Sequence, residues 1–499
     1  MIFPKNSIVR AALFLIAMTA WSLSARAQVL VPFGDHFTEK AWRIDIYQTG
    51  DAKSESVSID KICEEPLWPE SRAIRPAPFN VGRYMLEVYD VASNTLLYAR
   101  GFDTMFAEYK TTTPAIEGAQ RVFQRSLRIP EPRRPVLFVI EGRDKKNLLH
   151  TIFSRTIDPT DYHIIRETAA AGDWIYEPVI AGDPQHTLDF VFVAEGYTAD
   201  AREKFKADVN RMTQTLFGTE PYKSARDRMS IRAVHRPSAE RGMDEPRQKT
   251  YRKTILDAGF NAFDLDRYML IEQDHRLHEI AAQVPYDALV VLVDSARYGG
   301  GSIAYDYCVT TVDNARSTEV FLHELGHSFG GLADEYYASE VSYNDFYPKG
   351  VEPLEPNITA LLDPANVKWK SQLSPGIPVP TEYGKDAIES LQAERLARRK
   401  AAADELASAR AKGADLGAIK SIEDRAAAAD SDIQVRIEEI RRKYSSLADK
   451  VGVFEGAGYS TKGLYRSQMN CIMISSPKKE FCAACRQALA ATIEYYCGR

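Results

Sequence analysis

The stretch HTLDFVFVAEGYTADAREKFKADVNRMTQTLFG, residues 186–218, changes its hydrophobic periodicity part-way along. It begins with a continuous apolar run from Leu188 to Ala194, which is typical of a buried strand. Gly196 then turns the chain. The next apolar residues are spaced as on one face of a helix: Phe205, Val209, Met212 and Leu216. A strand followed by a helix predicts an α/β core.

A second buried strand is predicted downstream, at Ala288 to Val293 within YDALVVLVDS. It is followed by ARYGGGSIAYDYCVTTVDN, residues 296–314, which contains three consecutive glycines and a strand-like segment. Gly299 to Gly301 lack the lysine and the helix start of a phosphate loop. We therefore interpret them as a flexible approach to an exposed edge strand.

Upstream of this core, residues 28–180 consist of short alternating segments separated by turn residues, such as GRYMLEVYD and SNTLLYARGF. Two apolar runs flank the polar turn Arg143 to Asn147, which predicts a β-hairpin. We expect an all-β sandwich-like domain here. It has no group of His, Cys and carboxylates at ligand spacing, so a structural or accessory role is favoured.

Residues 385–450 are rich in Ala, Glu, Arg and Lys. Their later apolar residues recur at spacings of three and four: Ile433, Ile437, Ile440, Tyr444 and Leu447. Gly413 and Gly417 interrupt the run. This pattern predicts an antiparallel helical hairpin inserted into a catalytic domain of residues 181–499. Its mixed charges are typical of a solvated spacer rather than a specific partner-binding element.

Residues 1–27 have the order of a secretory signal peptide. Lys5 and Arg10 come first, an apolar run extends from Ala11 to Leu23, and cleavage is expected before Gln28. The apolar run is shorter than the roughly 20 residues that a membrane-spanning helix needs. We expect an exported protein, periplasmic or secreted, without stable membrane insertion after cleavage.

The length and charge of the chain limit its domain count and the kinds of partner that it can bind. Its 499 residues suffice for two or three domains. Cleavage before Gln28 would change the net charge from −6 to −9, and there is no long basic run, so nucleic acid is a poor candidate for a partner. The oligomeric state is not predicted.

Four of the six cysteines lie near the C-terminus: Cys471, Cys482, Cys485 and Cys497. An oxidising compartment favours disulfides that staple this tail to the domain. A four-cysteine zinc site is the alternative, because Cys482 and Cys485 have ligand-like spacing. Cys63 and Cys308 are too isolated in sequence to be assigned.

The segment VFLHELGHSFGGLADEYY, residues 320–337, carries the catalytic signal. On a helix, His323 and His327 lie on one face and can bind one cation, while Glu324 faces the same cleft. Two neutral imidazoles leave zinc its positive charge, which acidifies a water molecule and polarises a carbonyl. Glu324 is then the expected general base.

The third metal ligand is not a histidine, since none follows His327. Gly330 and Gly331 let the chain leave the helix and return toward the metal, which points to Asp334 or Glu335. We favour Asp334, because its side chain is short. Glu335, being adjacent, should point away and make a supporting hydrogen bond to a ligand or to the turn.

The chain resembles the bacterial IgA-peptidase family of zinc metallopeptidases. The resemblance rests on HELGHSFGGLADEYY, FVFVAEGYTADAREKFKADV, NVKWK (residues 366–370) and YRSQMNCIM (residues 465–473), and it covers most of residues 186–499. It implies a metzincin-like α/β catalytic domain after the β-rich domain, and hence an α+β protein. A methionine turn is expected beneath the metal, with Met473 as its methionine and Met469 as the alternative. The metzincin pattern has a third histidine where this chain has Ala333.

Together these features predict an exported zinc endopeptidase with one catalytic Zn²⁺ ion, acting on an unidentified protein or peptide. Tyr336, Tyr465 and Arg466 have suitable chemistry to stabilise the transition state. Two alternatives stay open. One is a non-catalytic protein- or glycan-binding module on a peptidase scaffold, and the other is a zinc-dependent deacetylase or esterase.

Overall fold

The computed structural model describes residues 31–72, 82–166, 172–337, 346–474 and 479–497. The predicted signal peptide, residues 1–27, lies outside the described residues. Over the described ranges the chain is a mixed α/β structure with four β-sheets. No helix in these ranges is long and apolar enough to cross a bilayer.

The N-terminal part contains two antiparallel sheets. The strands are β1 (Phe37–Gly50), β2 (Glu55–Glu65), β3 (Tyr84–Asp90), β4 (Leu96–Phe102), β5 (Arg121–Pro132), β6 (Val136–Arg143) and β7 (Leu149–Ile157). Three short helices accompany them: α1 (Phe33–His36), α2 (Met105–Tyr109) and α3 (Thr113–Ile116). The sheets have the orders β2-β1-β5 and β4-β3-β6-β7.

These two sheets share one hydrophobic cluster, to which Trp42, Leu86 and Phe138 belong. The predicted β-hairpin is confirmed, because β6 and β7 pair antiparallel with Arg143 opposite Leu149. A β-rich N-terminal part is therefore observed, as the alternating pattern of its sequence indicates.

A six-stranded mixed sheet follows. Its strands are β8 (Trp174–Val179), β9 (Leu188–Glu195), β10 (Met229–His235), β11 (Ala288–Val293), β12 (Gly300–Ser302) and β13 (Tyr307–Thr311). The order is β12-β13-β11-β9-β10-β8, with parallel pairing in the centre and antiparallel pairing at both edges. The two predicted buried strands are confirmed as β9 and β11. Gly300 and Gly301 belong to the edge strand β12, which is largely buried rather than exposed as the sequence predicts. β8 lies before residue 180, yet it pairs with this sheet.

Helices α4 (Arg202–Phe217), α5 (Tyr222–Ala225), α6 (Asp274–Ala281) and α7 (Ser317–Gly330) surround the sheet. Every residue of β9 and β11 is buried, because both faces of the sheet are covered. Phe190 and Phe192 of β9 pack in the cluster that includes α4 and α7. Val191 and Val193 face the opposite cluster, which includes α6 and Phe106 of the N-terminal part.

Two long helices follow, α8 (Lys385–Ala411) and α9 (Leu416–Lys443). They pack side by side and antiparallel around Leu391, Ile433 and Ile437, while most of their other residues are exposed. Gly413 lies between them with φ +71, a left-handed conformation that ends α8. Gly417 does not break a helix, because it lies in the first turn of α9.

The remaining elements complete the surroundings of the site. A small sheet has the order β14-β16-β15, with β14 (Ile358–Thr359), β15 (Phe454–Ala457) and β16 (Ser460–Arg466). Helix α10 (Ala483–Tyr496) packs against α7 through the main core, to which Leu489 and Ile493 contribute.

Candidate metal centre

Helix α7 carries the first two candidate ligands. Its apolar residues Phe321 and Leu325 are buried in the main core, which fixes the helix against the sheet. His323 and His327, four residues apart, face a cleft on the other side and are partly exposed.

Helix α7 ends where the chain has to turn sharply. Gly331 caps the helix with φ +57, and a Cβ atom at this position would lie 1.9 Å from the Tyr305 hydroxyl oxygen. Only glycine fits this turn. The turn brings Asp334 back under the histidines, where its carboxylate is 4% exposed.

Three atoms converge at the floor of the cleft. Asp334 Oδ1 lies 3.1 Å from His323 Nε2 and 3.4 Å from His327 Nε2. The two Nε2 atoms are 3.3 Å apart. In a tetrahedral zinc site with bonds of about 2.0–2.1 Å, ligand atoms are separated by about 3.3 Å. The spacing of these three atoms therefore suits a zinc ion.

The other ring nitrogens set the tautomers of both histidines. His323 Nδ1 donates to the Ile472 carbonyl oxygen at 3.0 Å, and His327 Nδ1 donates to the Leu332 carbonyl oxygen at 2.6 Å. Because a carbonyl only accepts, Nδ1 carries the proton in each ring. In the neutral rings both Nε2 lone pairs therefore point at a carboxylate oxygen, an arrangement that a cation stabilises.

The electrostatics agree with this geometry. Burial opposes the charge on Asp334. Without a metal ion, the positive charge of a protonated His327 and hydrogen bonds from the Nε2–H groups of both protonated rings outweigh burial and hold the pKa of this carboxyl well below its usual range. In turn, Asp334 overcomes the effect of burial and raises the pKa of His327 to about 9. The cluster favours positive charge at the point where the three atoms converge.

Glu324 lies beside the histidines and lines the same cleft. The Ser302 hydroxyl of edge strand β12 donates to Glu324 Oε2 at 2.9 Å, which orients the carboxylate. β12 thus forms one wall of the cleft, and Glu324 lies against this wall.

Two protein-family models match this chain. A model described as IgA Peptidase M64 matches residues 179–493, and one described as Peptidase M64 N-terminus matches residues 32–154. The chain belongs to the IgA peptidase M64 family. No curated protein matches it. The protein is therefore a peptidase, and its substrates are proteins or peptides.

The segment before α10 supports the floor of the M64 site. Met473 is fully buried, and a Cβ atom on Gly326, between the two histidines in sequence, would lie 2.7 Å from its sulfur. The Met473 carbonyl accepts from the Glu335 backbone N–H at 2.9 Å. The Ile472 carbonyl accepts from His323, and Met473 packs against Gly326 of α7, so both residues lie next to the candidate ligands. The assignment of Met473 to a methionine turn stays a prediction.

Two tyrosines line the cleft near Asp334, and the sequence analysis names only Tyr336 as a candidate. Tyr336 lines the cleft, and its ring is nearly parallel to that of His323, with 6.4 Å between the centroids. Burial, followed by the charge of Asp334, raises the pKa of Tyr336 and keeps its phenol protonated. Tyr459 was not predicted, although its hydroxyl donates to Asp334 Oδ2. It lies 125 residues from Asp334, so no local pattern links the two.

Tyr465 and Arg466 are not among the residues that line the cleft. Tyr465 belongs to β16, opposite Thr359 and Glu455, and is not among the residues that line the cleft. Arg466 donates to the Gly456 carbonyl and stacks on Tyr383. Both residues are engaged in the small sheet, so the prediction that they reach the reacting groups is not supported.

The predicted disulfides are not observed, and all six cysteines are free. The Cys471 and Cys485 sulfurs are 3.7 Å apart, against about 2.05 Å in a disulfide. Glu335 Oε1 lies 3.2 Å from Cys482 Sγ and 3.1 Å from Cys485 Sγ, so its carboxylate lies against these two cysteines. Cys497 lies at the far end of α10, near the Arg228 carbonyl.

Proposed function

We propose that this M64 peptidase is an exported zinc-dependent endopeptidase, with His323, His327 and Asp334 as metal ligands. One observation carries the proposal: two imidazole Nε2 atoms and a carboxylate oxygen converge at 3.1–3.4 Å, with the proton of each ring held on the opposite nitrogen. Nitrogen and carboxylate ligands in a three-residue set that leaves a fourth position open are characteristic of catalytic zinc. When bound, zinc would polarise the substrate carbonyl and acidify a water molecule.

Glu324 is proposed as the general base. Its carboxylate would accept a proton from the attacking water and deliver it to the leaving amine, which balances the hydrolysis of one peptide bond. The hydrogen bond from Ser302 leaves Glu324 Oε1 available for this transfer while it fixes the orientation of the side chain. Ser302 is thus a positioning residue.

Tyr336 is the proposed donor to the oxygen that becomes negative in the transition state. Its phenol lies in the cleft, stays protonated and is adjacent to Arg267, whose charge adds positive potential. A donor and a cation at this position would stabilise the developing oxyanion. Tyr465 is not proposed, because it lies outside the cleft.

The proposed domain plan assigns strands β1 to β7 to an accessory β-sandwich-like domain. It assigns β8, which pairs with β10, together with residues 181–499 to a metzincin-like catalytic domain. Met473 would form its methionine turn, and the hairpin of α8 and α9 would be a peripheral insertion. The mostly exposed surfaces of both helices support a peripheral position. Export rests on the order of charged, apolar and small residues in segment 1–27.

Casein hydrolysis before and after removal of metal tests the proposed function. Treatment with a zinc chelator should abolish hydrolysis, and zinc added to the dialysed protein should restore it, whereas magnesium should not. Casein cleavage by protein shown to be metal-free would contradict the proposal. Hydrolysis of acetylated or ester substrates in place of peptides would favour the deacetylase alternative.

A further inference from the structure

A second cluster of potential metal ligands lies behind the catalytic cleft. It consists of Glu335, Cys471, Cys482 and Cys485, whose ligand atoms all lie within 4.8 Å of one another. All four side chains are buried, with exposed fractions of 2% or less. None of them lines the cleft.

The spacing within this cluster differs from that of a disulfide. The Cys471 and Cys485 sulfurs are 3.7 Å apart, and Glu335 Oε1 lies 3.2 Å from Cys482 Sγ and 3.1 Å from Cys485 Sγ. Tetrahedral zinc with Zn–S bonds of about 2.3 Å separates its sulfur ligands by about 3.8 Å, and a carboxylate oxygen lies about 3.5 Å from each sulfur. The four atoms are therefore arranged closely enough to coordinate one ion.

The Glu335 carboxylate lacks a positive partner in this surrounding. It is fully buried, and Asn357 Nδ2 donates to Oε1 at 3.0 Å. Oε2 has no hydrogen-bond partner, and no Lys, Arg or His side chain of the described ranges lies within ion-pair distance of the carboxylate. A buried carboxylate without a cation is costly, and a bound metal ion would remove this cost.

The sulfur atoms accept hydrogen bonds of the kind that stabilise thiolates. The Cys482 backbone N–H donates to Cys471 Sγ at 3.2 Å, and the Ser467 hydroxyl donates to Cys482 Sγ at 3.1 Å. The Cys485 backbone N–H points at Cys482 Sγ from 3.5 Å, because Cys482 caps the N-terminus of α10. Cys482 and Cys485 thus have the arrangement of a Cys-x-x-Cys metal-binding turn.

We propose that Glu335, Cys471, Cys482 and Cys485 bind a second, structural metal ion. Zinc is the expected ion, because three thiolates and one carboxylate in a closed tetrahedral set suit it and thiolates exclude hard cations such as Mg²⁺. Binding releases three thiol protons to solvent and changes no oxidation state. With four protein ligands the ion has no open position, so it takes no part in the hydrolysis.

The four ligands lie in different segments of the chain, which the ion would hold together. Glu335 is adjacent to Asp334, and Cys471 precedes Met473 by two residues. The ion would join the ligand-bearing turn to the methionine-containing turn and the start of α10, and Glu335 is 147 residues from Cys482 in sequence. It would thereby hold Asp334 in place from behind the cleft.

Metal content and X-ray absorption of the purified full-length chain test this proposal. The double variant His323→Ala/His327→Ala removes the cleft ligands, so it should fall from about two zinc ions per chain to about one. The remaining zinc should show sulfur neighbours at about 2.3 Å. This measurement does not require activity, so it stands even if the proposed catalytic function fails.

Two further variants complete the test. Cys485→Ser should lose the sulfur-coordinated ion, and Cys497→Ser, a buried cysteine at the other end of the same helix, should keep it. If Cys485→Ser does not fold, the spectrum of the double histidine variant still decides the question. Zinc without sulfur neighbours, no zinc at all in that variant when it is folded, or a mass two hydrogens below the reduced chain, indicating a disulfide, would each overturn the proposal.

Discussion

Asp334 and Glu335 are neighbours in sequence, yet their carboxylates face two different clusters. Asp334 Oδ1 lies 3.1 Å from His323 Nε2, and Glu335 Oε1 lies 3.1 Å from Cys485 Sγ. The segment after Gly331 therefore places one carboxylate in the cleft and the next in a buried cysteine cluster.

The first prediction distinguishes the roles of the Asp334 and Glu335 carboxylates in metal binding. Asp334→Ala should lose the zinc that is coordinated by nitrogen and oxygen. Its casein hydrolysis should fall by more than about 100-fold, because loss of a residue that only supports a metal ligand costs about 10–100-fold. Glu335→Ala should keep the cleft ion and more of the activity. Zinc content and absorption spectra of both variants provide the measurement. An Asp334→Ala protein that binds cleft zinc as tightly as wild type would exclude Asp334 as a ligand.

The second prediction assigns the general base. Glu324→Gln keeps the size of the side chain but cannot accept a proton, so turnover should fall by roughly 10²–10⁴ while zinc content stays unchanged. Glu319→Gln is the matched control, because Glu319 lies on the same helix and pairs with Lys479 and Arg316. It should retain nearly normal turnover. Near-normal turnover of fully metallated Glu324→Gln would move the base to another residue.

The third prediction concerns Tyr459, whose hydroxyl donates to the Asp334 oxygen that faces away from the histidines. Tyr459→Phe should lower zinc affinity or activity by about 10–100-fold, the usual effect of losing a partner that orients a ligand. Competition with a chromogenic chelator measures the affinity. Tyr465→Phe is the control and should match wild type, because Tyr465 lies outside the cleft. The reverse pattern would show that Tyr465, and not Tyr459, supports the metal ligand.

The fourth prediction tests whether the hairpin of α8 and α9 is peripheral. Replacing residues 396–432 with a short Gly/Ser turn keeps Leu391, Ile433 and Ile437, which join the two helices near their base. It also keeps Lys385, which pairs with Glu455 of β15. Zinc content and hydrolysis of casein and short peptides should remain within a few-fold of wild type. A folded deletion that no longer cleaves short peptides would mean that the hairpin shapes the cleft.

The fifth prediction concerns export. Protein recovered from the native cell should begin at or near Gln28, because Ala25-Arg26-Ala27 has the small residues of a cleavage site. N-terminal sequencing of the periplasmic or secreted fraction measures this. A full-length chain beginning at Met1 in the cytosol would contradict it.

Local patterns in the sequence were sufficient to predict the elements that build the site. The continuous apolar runs identify β9 and β11 because both faces of these strands are buried. The spacing of His323 and His327 sets two ligands on one face of α7, since residues four apart are neighbours on any helix. The turn after Gly331 then limits the third ligand to Asp334 or Glu335. Each of these inferences depends on residues close together in the chain.

Only the tertiary structure decided how distant segments meet at these turns. Tyr459 reaches Asp334 across 125 residues, and Glu335 reaches Cys482 across 147. The spacing of the cysteines predicted either disulfides or a cysteine-only zinc site, because a carboxylate from a remote turn leaves no trace in that spacing. Hydrophobic periodicity specifies which face of an element is buried, but not which polar group from another segment will lie against it. Chain packing therefore sets the partners of Asp334 and Glu335, while the sequence alone specifies the turn that carries them.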